Sequence, residues 1–141
     1  MRLAPEACWS RLADARHATL GTVHERRGLD IVPVVFAVAG DRIVIPIDTV
    51  KPKRGGPLQR LDNLARDARC VVLADQYADD WAQLWWVRVH GQGAACRPDP
   101  GLVALLADRY PQYRATGAVV SLIVVTADEI TGWSADRPGS T

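Results

Sequence analysis

A chain of 141 residues, 48% of them apolar and with a net charge of +1, fits one domain spanning 1–141 that buries a real core. That balance excludes a disordered chain and argues against a protein built to coat nucleic acid. No apolar run approaches the ~20 residues of a membrane span, and Met1-Arg2-Leu3-Ala4-Pro5-Glu6 turns polar too early for a signal peptide. Cys8, Cys70 and Cys96 are widely spaced and form no Cys-x-x-Cys pair, which favours reduced thiols and a cytoplasmic location over a disulfide or zinc framework.

In chain order, Pro5 to Arg16 reads as a helix with Ala7, Trp9, Leu12 and Ala13 on one face, and Trp9 is assigned to packing that helix on the sheet. Ala18 to Val23 and Leu29 to Val38 read as a hairpin around the polar turn Glu25-Arg26-Arg27-Gly28. Ala39-Gly40-Asp41 turns the chain into a strand from Arg42 to Ile47. Pro33 and Pro46 cannot donate to a ladder, so each marks an edge, a bulge or an exposed strand end. A basic loop follows from Asp48 to Gly56, then a short helix with Pro57 in its first position and Leu58, Leu61, Leu64 and Ala65 as its apolar stripe. Arg60, Asp62 and Arg66 lie off that stripe. Ala68 to Asp75 and Leu84 to Cys96 read as strands, Asp99 to Tyr110 as a helix closed by Pro111, and Val119 to Val125 as a strand continuing toward Trp133. The tail from Ser134 to Thr141 reads as mobile. Sequential strands with peripheral helices predict an α+β, mainly β, antiparallel barrel.

Several familiar constellations are missing. There is no P-loop and no Gly-x-Ser-x-Gly elbow, and Gly91-Gln92-Gly93-Ala94-Ala95-Cys96 continues a strand without the third glycine of a dinucleotide fingerprint. His17, His24 and His90 have no carboxylate or thiol at ligand spacing, so no metal site is expected and His90 is placed in solvent or on a backbone partner. Asp79-Asp80 reads as a solvated turn. The basic loop is the leading candidate. Lys51, Lys53 and Arg54 supply charge, Gly55 and Gly56 let a ligand approach the backbone, and Arg60 reaches back from the helix toward the same anion. The second candidate is the aromatic cluster Tyr77, Trp81, Trp85 and Trp86. Adjacent Trp85 and Trp86 point to opposite faces of a strand, which implies a ligand or a second subunit over one of them.

The order of Ala18-Thr19-Leu20-Gly21-Thr22, Ile31-Val32-Pro33-Val34-Val35-Phe36 and Ile47-Asp48-Thr49-Val50-Lys51-Pro52-Lys53 resembles a known family. So does its continuation through Asn63-Leu64-Ala65-Arg66-Asp67-Ala68-Arg69-Cys70-Val71, Asp75 to Trp81, Leu84 to Arg88 and Glu129 to Trp133. The chain is similar to the split β-barrel flavin and deazaflavin oxidoreductases related to pyridoxamine 5′-phosphate oxidase, and within them to the actinobacterial branch that uses coenzyme F420. The resemblance implies a homodimer with cofactor sites at the subunit interface and a small-molecule substrate. Pro33 and Val34 would lie along the ring. Ile47 and Asp48 lead into Thr49, Lys51, Pro52, Lys53 and Arg54, which with Arg60 and Asn63 would hold the phosphate. Tyr77, Trp85 and Trp86 complete the expected cofactor set. The expected activity is hydride transfer between F420 and a small conjugated or heteroaromatic substrate. The alternatives are an FMN enzyme of the same fold and a non-catalytic F420 or flavin carrier. Two departures matter: Asp62 stands where many relatives carry a basic residue, and the arginine-rich C-terminal substrate motif of true pyridoxamine phosphate oxidases is missing, so vitamin B6 oxidation is not expected.

Overall fold

The structure, a computed structural model, describes residues 1–48 and 58–135. The elements run α1 (Pro5–Asp14), β1 (Ala18–His24), β2 (Gly28–Val34), β3 (Ala37–Ala39), β4 (Arg42–Asp48), α2 (Gln59–Arg66), β5 (Arg69–Gln76), β6 (Trp85–Cys96), α3 (Pro100–Arg109) and β7 (Val119–Ser134). The strands form one sheet in the order β2-β1-β5-β6-β7-β4-β3, and every pairing is antiparallel. The expected antiparallel barrel is present in open form. Val34 of β2 and Ile43, Ile45 and Ile47 of β4 share one buried cluster although they lie near opposite ends of the strand order. The sheet must therefore coil around its core while its edge strands stay unpaired with each other.

Alternation builds that core. Along β6 the odd positions Val87, Val89, Gly91 and Gly93 are buried and the even ones exposed, the period of a strand with one covered face. A register shift between His90 and Gly91 marks a bulge against β7. A Cβ on Gly91 would lie 2.4 Å from the Thr126 carbonyl oxygen, so the close approach there demands glycine. The helices α1 and α2 close the inner face through Cys8, Leu12 and Leu64. On the opposite face, α3 and a 3₁₀ turn at Pro111–Arg114 pack Leu106, Tyr110 and Tyr113 over Ala37, Val44 and Leu122.

Several sequence expectations need correction. The strand expected from Leu29 to Val38 breaks at Val35 and Phe36. Its lost ladder bonds are replaced by side chains, because the Phe36 carbonyl accepts from Arg109 Nη1 at 2.8 Å and from the Tyr110 hydroxyl at 3.1 Å. In α1, Ala13 is exposed and Cys8 is buried, since Cys8 and Leu12, one turn apart, form the contact row. Trp9 packs on the core as expected. In α2, Ala65 is exposed and Asn63 takes the buried position. Ser134 is not part of a mobile tail: it is buried at the end of β7, where its N–H donates to the Met1 carbonyl at 2.9 Å. Residues 136–141 and Pro57 lie outside the described residues. Pro33 sits on the edge strand β2, and Pro46 lies on β4 beyond the reach of the short β3, as a residue without an N–H requires.

Candidate functional site

Three groups are of interest: Asp48 at the end of β4, Tyr113 in the turn after α3, and Arg60 at the start of α2. Asp48 follows a register shift at Ile47/Asp48, which turns its side chain toward the Pro111–Arg114 turn. There the Tyr113 hydroxyl donates to Asp48 Oδ2 at 2.6 Å. Burial, and then the Asp48 hydrogen bond, push the Tyr113 phenol well above its ordinary range, so it remains a donor at any physiological pH. Arg60, in the first turn of α2, is partly buried, and its Nε is buried without a hydrogen-bond partner. Desolvation lowers the Arg60 pKa and the field of Asp48 raises it. Yet Arg60 and Asp48 form no ion pair among the described residues. A partly buried guanidinium whose Nε has no hydrogen-bond partner among the described residues is suited to an incoming anion.

The remaining expected residues fall in different places. Thr49, Lys51, Pro52, Lys53 and Arg54 lie outside the described residues. Asn63 is fully buried. Its Nδ2 donates to Thr22 Oγ1 at 3.0 Å and to Asp30 Oδ2 at 2.9 Å, while its Oδ1 accepts from Gln59 Nε2 at 2.9 Å. Both amide hydrogens are used within the protein, so Asn63 fastens α2 to β1 and β2 and has no donor left for a phosphate. Pro33 is exposed on the outer face, whereas Val34 and Ile47 are buried in the core. Pro33 and Val34 therefore cannot line the same surface.

Trp85 and Trp86 separate as expected. Trp85 turns inward against the core, and Trp86 turns outward with the Arg88 guanidinium 5.1 Å from its ring centroid. Tyr77 and Trp81 are both strongly exposed beyond β5. His90 is exposed, as expected. The tryptophans and the Asp48 group lie at opposite ends of the 16-residue β7, because Ser134 pairs with Trp85 while Val119 pairs with Asp48. At the tryptophan end, a cleft of about 380 Å³ is lined by Arg11, Asp14, Arg16, His17, Asp75 and Trp85. Arg11 lies 5.6 Å from the Trp85 centroid and donates to Ser134 Oγ at 3.3 Å.

The outer face carries a second feature. Leu29 and Ile31 on β2 and Leu73 on β5 are exposed. Of these, Leu73 lies diagonal to Trp86, which pairs with the exposed Trp133. Covered by α3 at its β4–β7 end, this face is packed by no helix of the described residues across β2, β1, β5 and β6. Within it, the Thr131 hydroxyl is buried without a partner, opposite Arg88 in the ladder. Sequence reasoning missed Tyr113, Thr131 and Arg11. The bond between Asp48, at the end of β4, and a tyrosine 65 positions later leaves no local pattern to read. Among the described residues, no group of His, Cys, Asp and Glu side chains is placed to hold a metal ion.

No protein-family model and no curated protein matches the sequence. Solved structures do match. The FAD-binding protein of Mycobacterium smegmatis is 20% identical with a TM-score of 0.61, over 94% of this chain and 96% of that one. An FAD-binding protein of Mesorhizobium loti is 15% identical with a TM-score of 0.69, over 94% and 95%. A candidate pyridoxamine 5′-phosphate oxidase of Corynebacterium glutamicum is 18% identical with a TM-score of 0.63, over 95% and 98%. The fold is the split β-barrel. Among the described residues of this split barrel, no helix is long and apolar enough to cross a membrane.

Proposed function

We propose that residues 1–141 form one cofactor-binding domain that acts as a homodimeric oxidoreductase, with coenzyme F420 as its hydride carrier and FMN as the alternative. The observation that carries the reading is Arg60, in the first turn of α2, whose buried Nε has no partner among the described residues. Such an orphan donor fits the phosphate of either cofactor. The basic run Lys51, Lys53 and Arg54 adjoins Arg60 in sequence and suits the longer anionic tail of F420. The two solved FAD-binding proteins of the same fold support a ring-bearing redox cofactor.

The cofactor, when bound, supplies the hydride chemistry. The chain's own residues then bind and orient it. Arg60 fixes the phosphate, and the outer-face residues Pro33 and Trp86 offer apolar surface to a ring. A second copy would cover the apolar residues of this face, Leu29 and Ile31 at the β2 edge and Leu73, Trp86 and Trp133 across β5, β6 and β7. It also relieves the separation between the anion end and the tryptophan end, since a partner carries the tryptophans of one copy toward the anion site of the other. The substrate is a small conjugated or heteroaromatic molecule that stacks beside the ring.

The test is a fluorescence titration with F420 and, separately, with FMN, on wild type and on Arg60→Ala. Saturable binding that Arg60→Ala weakens at least tenfold supports the reading. Binding of FMN without F420 assigns the flavin. Binding without turnover across a panel of conjugated acceptors assigns a carrier, and binding of neither cofactor refutes the proposal.

A further inference from the structure

We infer that the cleft at the tryptophan end of the sheet is a binding site for a small aromatic monocarboxylate, in which Arg11 takes the carboxylate and Trp85 offers apolar surface to the ring. The site goes beyond the cofactor reading and does not depend on it. The cleft opens where α1 ends, β1 begins and β5 passes to β6, with His17, Gln76 and Trp85 in its wall. The helix α2, which carries Arg60, lies toward the other end of β6. A Cβ on Gly93 would meet Leu64 of α2, whereas Trp85 is the first residue of that strand. A volume of about 380 Å³ is near the lower limit of ligand pockets, enough for a small ring system and too little for a whole redox cofactor.

Arg11 is half-buried in the last turn of α1. Its guanidinium lies over the Trp85 ring and donates to Ser134 Oγ, so both groups that hold it are uncharged. Among the described residues it makes no ion pair, although Asp14 and Asp75 line the same cleft. A guanidinium presents a planar fork of N–H donors, and one held over a ring keeps a free edge for the two oxygens of a carboxylate. The frame is fixed by bonds that are distant in sequence. Arg109 Nη2 donates to the Ala15 carbonyl, and the Tyr110 hydroxyl is shared between the Arg16 and Phe36 carbonyls at 2.9 and 3.1 Å. Trp85 is held in the ladder between Gln76 and Ser134, with its ring against the core. Asp14 and Asp75 are exposed and limit the ligand's charge. Two carboxylates beside the site repel a second negative charge, so a monoanion is favoured over a dianion.

The probe is benzoate, compared with benzamide, its uncharged isostere, and with phthalate, a dianion. Each is titrated by calorimetry into the full chain, with circular dichroism to confirm the folding of every variant. Wild type should bind benzoate saturably, and benzamide and phthalate more weakly by on the order of tenfold. Arg11→Gln keeps a donor for Ser134 and removes the charge. It should weaken benzoate by on the order of tenfold and bring the benzoate-to-benzamide preference close to one. A merely structural role for Arg11 would weaken both ligands alike and leave that preference unchanged. Should Arg11→Gln fail to fold, Arg11→Lys keeps the charge and loses the planar fork, and it should lower the same preference. The place of binding is read by NMR: the indole N–H resonance that benzoate shifts in wild type should be the one missing from Trp85→Phe.

The inference is overturned if wild type does not bind benzoate, if benzamide or phthalate binds as well as benzoate, if the Arg11 variant keeps the wild-type preference, or if benzoate leaves the Trp85 indole unmoved. Its failure is separable from failure of the cofactor reading. A protein that takes F420 or FMN through Arg60 and ignores benzoate keeps that reading and loses this site. A protein that binds benzoate with the Arg11 pattern and takes neither cofactor keeps this site and loses that reading.

Discussion

Replacing Ile31 by aspartate probes the bare face most sharply. Ile31 is 72% exposed on the outer face of edge strand β2, opposite Gly21. Complete burial of an isoleucine side chain is worth about 1.5–3 kcal/mol. Covering the exposed fraction in both copies of a dimer therefore contributes about 2–4 kcal/mol at this one position. Losing it weakens association roughly 30- to 1,000-fold, before any cost of burying the new charge. In the isolated chain the same side chain already faces water, so the fold should tolerate the change. Sedimentation velocity over a range of concentrations reads the dimer, and thermal unfolding under conditions where both proteins are monomeric reads the fold. A wild-type protein that stays monomeric at high concentration, or an Ile31→Asp variant that dimerises as well as wild type, would refute the assignment of this face to a second copy.

Gly91→Ala forces a Cβ to within 2.4 Å of the Thr126 carbonyl oxygen at the β6–β7 bulge. It should destabilise the fold by about 1–3 kcal/mol and lower the melting temperature by roughly 3–12 °C in a thermal scan. Hydrogen bonds from Arg69, with its charge behind them, hold the Asp67 carboxyl down to about 2, below the ordinary carboxylate range. A lowered carboxyl stabilises the fold above its unfolded range, and that contribution is lost as pH falls through about 2. An NMR titration of the Asp67 carboxyl should show this, with Arg69→Ala raising it only part of the way back, because the backbone N–H of residue 69 still donates to Asp67 Oδ1. Cys8 and Cys70 are buried, and burial pushes the Cys70 thiol up to about 11, while Cys96 is exposed. A thiol reagent such as Ellman's should therefore label Cys96 rapidly and the other two only on unfolding, as peptide mapping can verify.

The strands were legible because alternation is local. The β6 pattern from Trp85 to Gly93 and the opposed faces of Trp85 and Trp86 follow from period two alone. Helix positions were legible from leucine spacing, but which polar residue a helix buries was not. Asn63 displaces Ala65 from the contact face because Thr22 and Asp30 supply acceptors from strands far away in sequence. The break at Phe36 was hidden for the same reason: its carbonyl is satisfied by Arg109 and Tyr110, more than 70 residues later. Among the site residues, Arg60 was found from its place one turn into the helix after a basic loop. Tyr113 was not found, because it meets Asp48 only in the folded chain. Grouping Asp48 with Trp85 overlooked that antiparallel pairing sends them to opposite ends of β7.

The most direct test of the account is the paired titration of wild type and Arg60→Ala with F420 and with FMN, followed by fluorescence. The account predicts saturable binding of F420 at micromolar or tighter affinity in wild type, weakened at least tenfold by the substitution. Wild type that binds neither cofactor, or that binds one with an affinity indifferent to Arg60, would contradict it.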